Sequence, residues 1–100
     1  METATYRIEI DCLGEDNYRY RSWKVDAPQD AKPDLTLEHG ECDKVHIGLY
    51  SWHFKNGDYD YYVSHDAAPY DGYVCGLIVY KNGKEILSED KFYEDSDVNN

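Results

Sequence analysis

Two Asn-Gly pairs, in Lys55-Asn56-Gly57-Asp58 and Lys81-Asn82-Gly83-Lys84, each interrupt segments in which apolar and polar residues alternate. Tight turns whose twist matches that of paired strands need positive φ at their centre, and Asn and Gly tolerate it best. The pairs therefore predict two β-hairpins, one joining 45–54 to 59–65 and the other joining 73–80 to 85–89. A chain with two such turns and no window holding the i, i+3, i+4, i+7 pattern of a helix is committed to antiparallel sheet.

The remaining segments extend that pattern. Tyr6, Ile8, Ile10 and Cys12 share one face of an opening strand, Arg7, Glu9 and Asp11 share the other, and Gly14-Glu15-Asp16-Asn17 turns the chain back. Over 18–25, Tyr18 and Tyr20 fall out of phase with Trp23 and Val25, which predicts a bulge near Ser22. Residues 26–34 hold two prolines and three acids and form the longest interior loop, with room for one helical turn. Leu35-Thr36-Leu37 restarts the alternation and His39-Gly40-Glu41 breaks it. Val45 to Phe54 is apolar on both faces, which predicts a single central strand. The expected fold is all-β, with six or seven antiparallel strands in a small sandwich or partly open barrel. It forms one domain over 1–90, followed by a frayed acidic tail over 91–100.

Charge limits the partners. Twenty-one acids against ten bases give 100 residues a formal net charge of −11, beyond the roughly 2 to 8 units usual for a small soluble domain. Direct binding of nucleic acid or of an anionic membrane is disfavoured, because attraction to phosphate normally supplies the affinity. Eleven tyrosines and two tryptophans are too much aromatic material for a disordered acidic chain. The N-terminus shows no leader pattern and no apolar run approaches the roughly 18 residues of a membrane span. Three widely spaced cysteines without a CxxC read as reduced thiols of a cytoplasmic protein, with Cys12 and Cys75 buried as small hydrophobes.

No pattern of catalytic residues emerges. His39, Glu41, Cys42, His46, His53, His65 and Asp66 are ligand types at spacings that match no metal motif, and His46 and His53, seven apart on one expected strand, point to opposite faces. Asn56, Asp58 and Asp60 resemble part of a calcium loop, but the glycine sits at 57 and the twelfth position counted from Asp58 is Pro69 rather than Glu. Ser51, Ser64 and Ser88 lie within strands instead of on a strained turn, and phosphate-cradling glycine patterns are absent. The expectation is a protein that is not an enzyme and carries no cofactor or metal. Arg7, Arg19, Arg21 and Lys24 make the first hairpin locally basic and are suited to pairing with Glu9 and Asp11 across the sheet.

Thirteen of the acids are Asp, most of them in turns. Such residues make turns and keep a protein soluble, but self-repulsion at this charge also destabilises a compact chain, which suggests a use. Same-face carboxylates two residues apart on a strand, such as Glu9 with Asp11 or Asp58 with Asp60, are spaced by about 6.7 Å, close to two steps of about 3.4 Å along a DNA strand. Carboxylates on a stiff sheet can therefore stand in for phosphates toward a Lys- and Arg-lined groove. Tyr59, Tyr61, Tyr62, Tyr70 and Tyr73, interleaved with Asp58, Asp60, Asp66 and Asp71, would supply anchors that slow dissociation. The expected partner surface comprises Glu9, Asp11, Asp58, Asp60, Tyr61, Asp66, Tyr70 and Asp71, and the expected partner is a basic nucleic-acid-binding protein or nuclease.

The stretch from Val45-His46 through Asp66-Ala67 and Tyr70 to the Asn82-Gly83 hairpin, ordered strand, turn, strand, proline loop, strand, turn, strand, is similar to the uracil-DNA glycosylase inhibitors. The acidic character as a whole resembles small inhibitors carried by phages and mobile elements, the anti-CRISPR proteins among them. That resemblance implies stoichiometric inhibition of a host defence or repair enzyme by occupation of its nucleic-acid site. An immunity protein neutralising a basic nuclease toxin would need the same charge and the same compartment.

Overall fold

The computed structural model describes residues 1–46, 48–66 and 72–92. Seven strands follow one another: β1 (Tyr6–Gly14), β2 (Asn17–Lys24), β3 (Leu35–His46), β4 (Leu49–Asn56), β5 (Tyr59–Asp66), β6 (Tyr73–Lys81) and β7 (Lys84–Phe92). Their order in the sheet is their order in the chain, every neighbouring pair is antiparallel, and the sheet curls into a half-barrel. Of the two expected architectures the chain takes the partly open barrel, and no helix occurs among the described residues.

Period-two alternation places one set of side chains on the concave side. Ile8, Tyr20, Leu37, Phe54, Val63, Leu77 and Val79 form the buried core, drawn from six successive strands. Burying each is worth about 1.5–3 kcal/mol for the larger aliphatic and aromatic side chains. Tyr20 packs between Phe54 at 5.6 Å and Tyr61 at 5.7 Å between ring centroids, and burial pushes its phenol up to about 12.

The N-terminal residues connect the first edge of the sheet to the last. Met1 and Ile8 exchange backbone hydrogen bonds of 2.9 and 2.8 Å, and Thr3 N donates to Tyr6 O at 2.8 Å. The Glu89 carboxylate on β7 then accepts from Thr3 Oγ1 at 2.7 Å, Thr5 Oγ1 at 2.6 Å and Thr5 N at 3.2 Å. Edge strands expose unpaired backbone; here a carboxylate ties the strap beside one edge to the other.

Several local expectations change. The Asn82-Gly83 turn has positive φ at both residues, 52° and 80°, as the twist argument requires. At the other hairpin Asn56 pairs with Tyr59, so the central residues are Gly57 and Asp58, and only Gly57 is positive, at 60°. The two turns touch, Asn82 N donating to Asp58 O at 2.9 Å. Val45 to Phe54 is not one strand: His46 pairs with Leu49 and Gly48 has φ 88°, so the apolar run holds the β3–β4 hairpin. His46 and His53 accordingly lie on different strands.

The bulge expected near Ser22 is also absent, since β2 pairs with β1 without interruption from Tyr18 to Lys24. Trp23 instead faces the convex side, where residues 26–34 cover it. Its Nε1 donates to Ala31 O at 2.7 Å, and the Arg7 and Arg21 guanidinium groups lie 4.9 and 5.6 Å from its ring. That loop is built of turns, with Ala27 N bonded to Lys24 O and Ala31 N to Pro28 O. Cys75 is buried, but Cys12 is exposed near the end of β1. β7 reaches Phe92, past the expected domain limit at 90, and the expected tail beyond it lies outside the described residues.

Candidate partner-binding surface

The irregularity that matters most falls on β3. Tyr20 pairs with Leu37 and Tyr18 with Gly40, so β3 carries one more residue than β2 between these pairs. His39 absorbs the insertion at φ 61°, and its N–H donates to Asn17 Oδ1 at 3.1 Å. A bulge of one residue reverses the facing of all that follows. Leu37 and Gly40 therefore both face the core, while Glu38, Glu41 and Asp43 all face the convex side and are exposed. Across the β3–β4 ladder Glu41 is opposite His53 and Asp43 is opposite Ser51. Among the described residues none of these three carboxylates makes an ion pair.

The acids expected to bind behave differently. Glu9 and Asp11 face Arg21 and Arg19 across the β1–β2 ladder. Arg19 reaches Asp11 at 2.9 Å, and Arg21 reaches Asp11 and Glu9 at 3.0 Å each. The Arg19 hydrogen bond, against a smaller opposing effect of burial and with help from Arg21, holds the Asp11 carboxyl below its ordinary value. This pair of acids is locally neutralised. Asp60 accepts from His53 Nε2 at 2.8 Å and has Lys55 Nζ at 3.8 Å, and the His53 bond keeps its carboxyl below the usual range. Asp58 is exposed at the β4–β5 turn. Tyr61 faces the concave side and packs against the core, where burial pushes its phenol up. Asp66 is only 6 % exposed and so offers a partner little surface. Tyr70 and Asp71 lie outside the described residues.

The expected set is thus divided among a neutralised hairpin, a hydrogen-bonded carboxylate, a turn and the protein interior. The acids that reasoning from sequence missed are Glu38, Glu41 and Asp43. Their signal was present in His39-Gly40-Glu41, which looks like a break in alternation but acts as a change of phase.

Depressions open on both faces of the sheet. On the concave side a cavity of about 560 Å³ opens among Tyr6, Tyr20, Leu35, Tyr61 and Leu87, with Lys24 and Asp34 also lining it. On the convex side a trough of about 440 Å³ is lined by Ser51, Asp60, Tyr62, Ser64, Ile78 and Tyr80. Among the described residues no three His, Cys, Asp or Glu side chains group as metal ligands, and no helix is long and apolar enough to cross a membrane. Compared with known protein families, curated proteins and solved structures, the chain matches none.

Proposed function

We propose that this chain is an acidic protein ligand that occupies the positively charged nucleic-acid site of another protein and blocks it, as an inhibitor of a host defence or repair enzyme would. The observation that carries this reading is the line of Glu38, Glu41 and Asp43, exposed and, among the described residues, without an ion pair on one face of a strand inside the sheet. β3 pairs with β2 as far as Gly40 and with β4 from Glu41 on, so one neighbour or the other holds the strand along this row, and Glu41 and Asp43 are spaced by about 6.7 Å. A rigid row of charge binds a complementary groove at less entropic cost than a flexible acidic tail would. The surplus of −11 adds long-range steering toward such a groove.

The test is affinity capture from lysate on the immobilised chain at low and high salt, followed by nucleic-acid binding assays on each captured protein. The reading requires a captured protein that binds DNA or RNA, loses that binding at a 1:1 ratio of added chain, and is not captured by the Glu38→Lys, Glu41→Lys, Asp43→Lys triple variant. Capture indifferent to ionic strength, or captured proteins that still bind nucleic acid with the chain in place, would refute it. A captured nuclease encoded beside this chain would identify it as an immunity protein.

A further inference from the structure

We propose that the convex-face trough bounded by Asp60, Tyr62 and Tyr80 binds a guanidinium group, an arginine side chain of the basic partner inferred above. The proposal deepens that reading and rests on it for the identity of the partner, though not for the chemistry of the trough. Its volume of about 440 Å³ lies within the usual range for ligand sites, about 300–1,000 Å³.

Three features of the trough fit a guanidinium. Asp60 supplies an acceptor, because both His53 and Lys55 approach Oδ1 while Oδ2 has no partner among the described residues. The carboxylate is also held in place: its side chain is 21 % exposed, and the His53 ring that anchors it stacks flat on Tyr62 at 4.5 Å and 5°. Tyr62 and Tyr80 then meet at 89° with centroids 5.7 Å apart, giving two aromatic walls at right angles. A planar, weakly hydrated guanidinium stacks on aromatic rings and donates to carboxylates in a way that a compact ammonium does not.

The chain already contains the same arrangement, filled. On the β1–β2 half of the convex face, Arg21 lies 5.6 Å from the Trp23 ring while donating to Glu9 and pairing with Asp11. On the β4–β6 half the rings and the carboxylate are present, but among the described residues Asp60 has no arginine beside it, only His53 at 2.8 Å and Lys55 at 3.8 Å, the latter with its side chain 70 % exposed. Exposed Glu41 opposite His53 and exposed Glu85 opposite Tyr80 add negative charge at the margins. Lys55 does not line the trough and is therefore only a loosely held competitor for Asp60, which an incoming arginine displaces.

The experiment is a titration of the ¹⁵N-labelled full chain with methylguanidinium chloride, compared with methylammonium chloride and sodium chloride at equal ionic strength. Saturable shifts are expected at the Asp60, Tyr62 and Tyr80 amides with methylguanidinium, and weaker ones with methylammonium. Asp60→Asn should weaken binding by about tenfold, the cost of losing a charge-assisted bond. Lys55→Gln should strengthen it by about twofold to threefold, as removal of a weak exposed competitor predicts. That gain keeps the test decisive if Asp60→Asn perturbs the hairpin. Shifts no larger than those from sodium chloride, or unchanged affinity in both variants, would overturn the proposal. Salt-sensitive capture of a nucleic-acid-binding protein without methylguanidinium binding would refute the trough alone; methylguanidinium binding without such capture would support the trough and remove the wider reading.

Discussion

Replacing Gly40 with alanine tests the packing that sets β3 in phase. Gly40 is buried on the concave side of β3, and a Cβ there would overlap the Cε2, Cδ2 and Cζ atoms of the Phe54 ring. Its backbone is not in the positive-φ region, so the ring alone dictates glycine. Phe54 is 1 % exposed and packed against Tyr20, so it cannot swing aside without opening the core. Overpacking of this kind costs about 1–3 kcal/mol, and complete loss of a buried Phe about 3–5 kcal/mol. Because the obstacle is one edge of a rigid, buried ring rather than the end of a flexible chain, the expected cost is about 2–3 kcal/mol. At about 4–8 °C per kcal/mol for a domain of this size, Tm should fall by about 10–20 °C. Far-ultraviolet circular dichroism during heating and urea titration measures both quantities. In a Phe54→Leu background, where the ring is gone, the same substitution should cost less than about 1 kcal/mol. A Gly40→Ala protein melting within about 2 °C of the parent, or an equal cost in both backgrounds, would refute the reasoning.

Other consequences are as direct. Glu89→Gln should loosen the N-terminal strap and lower stability by about 1–2 kcal/mol, given the charge-assisted hydrogen bonds lost and their partial exposure, with faster hydrogen exchange at the Thr3 and Ile8 amides. Burial raises the Glu89 carboxyl, but its bonds from Thr5 and Thr3 together outweigh burial and hold it below its ordinary value. A lowered folded pKa contributes stability that is present above the unfolded value of about 4.3 and lost as pH falls through the folded one. Asp11 and Asp60 carry the same sign. The parent should therefore lose stability from about pH 5 to about pH 3, and Glu89→Gln should lose less over that interval in a melting series. Trp23→Phe removes the bond to Ala31 O and should cost about 1 kcal/mol in urea denaturation. In partner binding, Glu9→Gln with Asp11→Asn should change affinity less than Glu41→Gln with Asp43→Asn, as titration calorimetry with a captured partner would show; the opposite order would move the interface to the first hairpin.

How much of this was legible in the sequence depends on which rule governed each segment. Alternation and Asn-Gly turns located β1, β5, β6 and β7, because a half-buried strand and a tight turn are both local. Trp23 misled the phase of β2, since apolar residues on opposite faces look like a bulge when the second face has a lid. The β3–β4 turn was hidden in an apolar run, where no Asn-Gly or Asp-Gly pair marks the reversal and Gly48 takes a positive φ. The acidic surface was legible in amount and not in location. Which carboxylates meet a guanidinium depends on β1–β2 register, and which share a face of β3 depends on one residue, His39.

Pairing also explains why total charge and binding surface need separate treatment. β1 and β2 place Arg19 and Arg21 against Glu9 and Asp11, so that hairpin contributes little local field despite its acids. The same pairing leaves few bases for the rest of the convex face, where among the described residues Glu38, Glu41 and Asp43 have no ion pair, and Asp43 lies opposite Ser51 at the margin of the Asp60 trough. Long-range attraction depends on the sum and is screened beyond a Debye length of about 8 Å at physiological salt. Contacts at an interface depend on individual groups and survive screening better when they are desolvated. Neutralising the β3 row should therefore raise the dissociation rate as well as lower the association rate, whereas neutralising distant exposed acids such as Asp26 and Asp30 should affect association alone. Stopped-flow mixing with an identified partner separates the two: equal effects from both sets, confined to association, would mean that the acids act only as a diffuse field and that no part of β3 forms a contact surface.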